Sequence, residues 1–283
     1  MAVERYVTPS SVEEALHFLH ERGDEAKVIG GGQSLLLLMR EGFIAPRVLV
    51  GLRNIGELAG IAVNGGTRIR ACATHTEVLS HPQIRAGWPV LAEAEEAVAS
   101  VQVRNRGTLC GNLAHAFPNA DPPAALLVVD AVAEVAGQGG RREVPIENFI
   151  TGALTTALAP DELLTSIALP PPPEGARYAY LKYAMRAHDL PILGVAVRLV
   201  VDGDGVCRDA RIGLNAAADR PIRARKAESV LVGTSLQDDA LAEAANAAAA
   251  ESDPLADIDG SVAYKRKVIR VYVRRALVRA RGR

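Results

Sequence analysis

Four consecutive prolines, Pro170 to Pro173, constrain this chain more than any other stretch. Proline lacks an N–H, fixes φ, and pushes the residue before it out of the helical region. No helix or central strand runs through four of them, so the chain divides here into residues 1–172 and 174–283. Beyond the prolines the pattern alternates. Tyr178 to Met185, Ile192 to Val201 and Asp209 to Leu214 read as a three-stranded antiparallel sheet, with Asp202-Gly203-Asp204-Gly205 as a turn. The remainder is helical in period, over Arg223 to Val232, Asp238 to Ala250 and Ser261 to Arg279.

The part before the prolines is more varied. Thr8-Pro9-Ser10-Ser11 reads as a cap-like opening, Glu13 and Glu14 favour the first turn of a helix whose apolar stripe is Val12, Ala15, Leu16 and Leu19, and Gly23 ends it. Ala26 to Ile29 reads as a short buried strand and Val48-Leu49-Val50 as a second. Ile55 to Val63 and Thr67 to Cys72 read as a hairpin turned at Asn64-Gly65-Gly66. Residues 75–100 are helical in two pieces, broken at Trp88-Pro89. Residues 101–121 show little periodicity and suggest a long irregular loop. Leu126 to Ala136, Arg142 to Pro145 and Asp161 to Leu169 read as strands. The fold class is α+β: a small α/β subdomain at 1–57, a larger α+β subdomain at 58–172, then a three-stranded antiparallel sheet with a helical bundle.

Composition closes off several functions. Lys and Arg number 32 against 33 Asp and Glu, and aromatics are 4%, which excludes a broadly basic nucleic-acid binder or a base-stacking platform. The last 20 residues hold nine Lys or Arg and no acid, but their apolar positions recur at helical spacing, which fits a packed helix with a charged outer face. No uninterrupted apolar stretch reaches about 18 residues, so no membrane span is expected. The start, MAVERYVTPSS, lacks a cationic and then apolar pattern, and a cytoplasmic location is expected. The three cysteines, Cys72, Cys110 and Cys207, are isolated, without a C-x-x-C pair to hold zinc or an iron–sulfur cluster. His17 and His20 share a helix face without a third ligand, so no metal site is expected.

Two glycine-bearing segments carry the chemistry. Ile29-Gly30-Gly31-Gly32-Gln33-Ser34-Leu35 runs from a strand into a helix start. Glycines there let backbone N–H groups approach an anion, or simply allow a tight turn. A dinucleotide fingerprint needs glycine where Leu35 stands, and a P-loop needs a lysine that is absent. The second segment, Arg104-Asn105-Arg106-Gly107-Thr108-Leu109-Cys110-Gly111-Asn112, continues to Asn119-Ala120-Asp121-Pro122-Pro123.

Together these segments resemble the signatures A-G-G-x-S-L and R-N-x-G-T-x-G-G-N of the FAD-binding medium subunit of molybdenum hydroxylases, the family of the CO dehydrogenase medium subunit and the xanthine dehydrogenase FAD domain. Tyr180-Leu181-Lys182, Arg186-Ala187-His188-Asp189 and the stretch from Ser261 to Leu277 resemble that family's C-terminal domain. Gln33 departs from a frequent His, and Cys110 from a typical Gly; a small packing role is expected for Cys110.

The resemblance implies FAD on this chain, bound by Ile29, Gly30, Gly31, Gly32, Gln33, Ser34, Leu35, Ala99, Thr108, Cys110, Gly111, Asn112, Asp121 and Lys182, with no catalytic acid–base set. Lys182 would approach the flavin, and a cation there stabilises negative charge on the reduced ring. It further implies a large partner subunit with the molybdenum cofactor and a small partner with two [2Fe-2S] clusters, as a dimer of heterotrimers. A stand-alone flavin reductase or oxidase, or a flavin-free assembly module, are the alternatives.

Overall fold

The computed structural model describes residues 3–63 and 66–282. The proposed turn residues Asn64 and Gly65 lie outside these. At the N-terminus a three-stranded parallel sheet runs in the order Arg5–Val7, Val48–Gly51, Ala26–Ile29. Its helix, Val12–Arg22, starts on the Ser11 side chain, which accepts from the Glu14 N–H at 3.1 Å, and buries Val12, Ala15, Leu16 and Leu19. The edge strand Arg5–Val7 was not anticipated; three residues are too short to show a period.

A five-stranded antiparallel sheet follows, in the order Ile61–Ala62, Thr67–Arg70, Leu163–Leu169, Val132–Gly137, Gly140–Pro145. The strand latest in sequence thus lies at its centre. The C-terminal sheet has four strands, Ala176–Tyr183, Leu193–Val201, Cys207–Asn215 and Ile222–Arg223, rather than three. The fourth is a two-residue strand paired to Gly213 and Leu214. Helices Arg225–Leu231, Asp238–Glu251 and Val262–Arg281 supply side chains to the same core as this sheet.

Three further expectations need correction. Leu126 to Ala136 is not one strand: Pro122–Val128 is a helix, and the strand is Val132–Gly137. Every residue of that helix is buried, so its apolar run carries no helical period, and the informative signal was the pair of prolines in its first turn. Residues 75–100 form three helices, His75–Ser80, Pro82–Gly87 and Pro89–Glu96, because Pro82 opens a second start after His81. Residues 101–121 contain two short helices, Val101–Arg104 and Leu109–His115, capped by Ser100 and Thr108.

The Ala176–Tyr183 strand serves both cores. Tyr178 and Tyr180 belong to the first, whereas Ala179, Leu181 and Tyr183 pack on the second. This period-two alternation turns Lys182 toward the N-terminal part. The Pro122–Val128 helix lies on the Cys207–Asn215 strand of the same sheet so closely that a Cβ on Gly213 would overlap the Ala124 carbonyl.

Candidate functional site

The two glycine segments are in backbone contact. The Ala26–Ile29 strand delivers Gly30 to Ser34, and the Leu35–Arg40 helix follows. A Cβ on Gly31 would overlap the Arg106 carbonyl oxygen and stand 2.6 Å from the Gly107 Cα. Only glycine permits that approach. Gly32 has a φ of 75°, which glycine adopts at no steric cost. Gly30 lies beside Thr108, whose Oγ1 would be 3.3 Å from an added Cβ. The same oxygen caps the Leu109–His115 helix by accepting from the Gly111 N–H at 3.0 Å. A Cβ on Gly111 would crowd it at 2.7 Å, so that glycine protects the cap.

The second segment is held from beneath by residues that the sequence pattern did not single out. The His75 N–H donates to Gly107 O at 3.0 Å, and the Leu109 N–H to Ala73 O at 3.3 Å. The imidazole of His75 packs under Gly107 and pairs through Nδ1 with Glu95 Oε2 at 2.5 Å, both side chains buried. Glu95 is reached from 20 residues away, and no local period marks such a pair.

Asp121 and Lys182 form the second focus. Lys182 Nζ lies 2.9 Å from Asp121 Oδ2 and also donates to Ala97 O at 2.8 Å. The Tyr180 hydroxyl donates to Asp121 Oδ1 at 2.7 Å, and Asn215 Nδ2 donates to the Asp121 backbone oxygen at 2.7 Å. Burial nevertheless pushes the Asp121 carboxyl up to about 6, against the pull of Lys182 and Tyr180. The turn at residues 97–99 connects the two foci: Ala97 O accepts from Lys182, and Ala99 O accepts from Arg104, two residues before Arg106.

Not every expected residue joins these contacts. The Cys110 thiol points away into the core, 3.7 Å from Ile69 O, and burial raises its pKa. That is a packing role, and a thiol held neutral is a poor nucleophile. Gln33 is exposed, with its amide 3.5 Å from Gly31 O. Ile29 packs on Gly32, while Leu35 opens a helix without one fully buried residue. His17 pairs with Glu21 at the surface, and among the described residues no group of three metal-ligating side chains is assembled. Among the described residues no helix is long and apolar enough to cross a membrane.

The geometry suits a phosphate-bearing cofactor. Two glycine segments expose backbone at a contact where side chains are excluded. The Asn112 Oδ1 is buried with no hydrogen-bond partner among the described residues, which leaves a polar atom for a ligand.

Comparison with known proteins agrees with that chemistry. Residues 2–172 match the family described as FAD binding domain in molybdopterin dehydrogenase, and residues 178–280 the CO dehydrogenase flavoprotein C-terminal domain. The carbon monoxide dehydrogenase medium chain of Afipia carboxidovorans is 37% identical, covering 98% of this chain and 96% of that one. Subunit alpha of the 6-hydroxypseudooxynicotine dehydrogenase complex of Paenarthrobacter nicotinovorans is 35% identical, covering 97% and 93%. A solved structure of reconstituted CO dehydrogenase from Oligotropha carboxidovorans superposes with a TM-score of 0.96 at 36% identity, covering 100% of this chain and 99% of the other.

Proposed function

The chain belongs to the FAD-binding medium subunits of molybdenum-hydroxylase-type oxidoreductase complexes, and from that premise we propose that it relays electrons from a [2Fe-2S] partner to an external acceptor. The interlock of Gly31 with Arg106 and Gly107 is the observation that carries this reading. Bound FAD supplies a ring that takes up electrons and hands them on. The protein's share is binding and electrostatics. Gly30 to Ser34 offer backbone to the pyrophosphate, and Thr108, Gly111 and Asn112 hold the other side. Residues 1–172 form the FAD-binding domain and 174–283 the C-terminal domain that contributes Lys182. Ile29, Leu35, Ala99, Gln33 and Cys110 contribute through backbone or packing.

Lys182 and Asp121 set the charge near the ring. The pair is neutral when Asp121 is ionised and cationic when it is protonated, so the field depends on the carboxyl that burial raises to about 6. Replacing Lys182→Met removes the cation and should lower the flavin midpoint potential by on the order of 30 mV, equivalent to about 1.4 kcal/mol for a two-electron couple. An unchanged potential contradicts the role.

The three cysteines are dispersed and buried or half-buried, which fits clusters and molybdenum on partner chains. The assembly proposed is a large molybdenum-cofactor subunit, a small [2Fe-2S] subunit and this chain, paired as a dimer of heterotrimers in the cytoplasm. Affinity purification followed by flavin and metal analysis tests it. The expected result is FAD on this chain with iron and molybdenum on co-purifying subunits. Substrate turnover by this chain alone would overturn it.

A further inference from the structure

The turn at residues 97–99 is gripped from two sides. It follows the Pro89–Glu96 helix, whose last turn is closed by the Ala97 N–H on Glu93 O and the Val98 N–H on Glu95 O. Side chains supply the donors for the carbonyls of the turn itself. Lys182 Nζ donates to Ala97 O at 2.8 Å, and Arg104 Nη1 donates to Val98 O at 2.7 Å and to Ala99 O at 3.0 Å. The Ala99 carbonyl also accepts from His188 Nδ1 at 2.9 Å, which fills both of its lone pairs. Ala99 has a φ of 35°, a region that a residue with a Cβ holds only where its surroundings impose it. Among the described residues its N–H donates to no backbone carbonyl.

His188 differs from the other two donors. Lys182 is tied to Asp121, and Arg104 lies in the segment it holds. His188 is exposed, on the loop between the Ala176–Tyr183 and Leu193–Val201 strands, and reaches 89 positions back to Ala99. From Ala99 the chain runs through Val101–Arg104 to Arg106 and Gly107, which abut Gly31. The C-terminal part therefore has a handle on the backbone that shapes the glycine contact.

We infer that His188 is a positioning residue for FAD: it pins the Ala99 carbonyl, holds the turn in its strained conformation, and leaves the Ala99 N–H for the cofactor. The inference rests on the FAD reading above. Without the imidazole, one side of the carbonyl is released and the turn relaxes toward ordinary φ. Binding must then restore the strained shape, so affinity falls while both cores, which exclude His188, keep their packing.

The test uses the full-length chain as wild type, His188→Ala and His188→Gln. The Gln amide retains an N–H donor for the same carbonyl. FAD is titrated into cofactor-free protein by flavin fluorescence, and amide exchange over residues 97–105 is followed in the same samples without FAD. The expected result is that His188→Ala binds FAD roughly three- to tenfold more weakly, the equivalent of one modest hydrogen bond. Exchange over 97–105 rises, the thermal midpoint stays unchanged, and His188→Gln restores both readouts. Equal FAD affinity in His188→Ala and wild type would overturn the inference, as would a lowered thermal midpoint with unchanged affinity. Wild-type protein that takes up no FAD, while exchange still rises in His188→Ala, overturns the FAD reading and leaves the hold on the turn intact.

Discussion

Gly31 and Gly213 use the same device for opposite ends. At each, backbone touches backbone because a Cβ is missing: Gly31 against Arg106 and Gly107, Gly213 against the Ala124 carbonyl. Gly213 is buried in a strand between Ile212 and Leu214, under a helix with no exposed residue. Its contact closes a core. Gly31 is half-exposed, flanked by a helix with no fully buried residue and by short capped helices. Its contact holds two loops together and keeps their backbone accessible. A close glycine approach is thus a packing feature or a binding feature according to what surrounds it.

The largest effect expected concerns the support beneath the binding contact. Glu95→Ala leaves His75 buried without its partner under Gly107, and should cost about 3–5 kcal/mol in denaturant unfolding. A loss under about 1 kcal/mol would mean that the pair does not support the segment.

Gly31→Ala and Gly213→Ala separate the two kinds of contact. Both should destabilise by about 1–3 kcal/mol through overpacking. Only Gly31→Ala should also weaken FAD binding, by about 100-fold, or about 2.7 kcal/mol. Equal FAD affinity in the two variants would erase the distinction.

Asp121 adds a pH signature. Its folded-state carboxyl is raised to about 6 from an ordinary 3.8, so the folded chain holds the proton more tightly than the unfolded one. Stability from this group is present below about pH 4 and declines as pH rises through about 6, by up to about 3 kcal/mol. Asp121→Asn removes that decline. An unchanged slope between pH 4 and 7 in the FAD-free variant would show that the carboxyl titrates normally. Cys110→Ala should have the smallest effect, about 1 kcal/mol of stability, with FAD affinity unchanged, because the thiol faces the core. A shifted affinity would place the thiol at the cofactor.

The same contrast explains what the amino-acid pattern reveals. In the C-terminal part, alternation from Tyr178 sends successive side chains to two different cores, and helical spacing up to Arg279 marks a helix that buries one face, so both periods show in the sequence. The Pro122–Val128 helix is buried on all sides and shows none, so Leu126 to Val128 read as strand. Around the binding contact, the glycines and Thr108 were legible as a motif because backbone conformation dictates them. His75, Glu95 and the His188 link to Ala99 were not, because they join residues 20 and 89 positions apart through single side-chain contacts. Cys110 was legible as part of the motif, but which way its thiol points depends on the helix that Thr108 caps.

The most direct measurement is amide exchange across the full chain with and without FAD. FAD is expected to slow exchange at residues 30–34 and 108–112 and to leave the helices Asp238–Glu251 and Val262–Arg281 unchanged. Protection absent from both glycine segments, in a chain that demonstrably binds FAD, would contradict this.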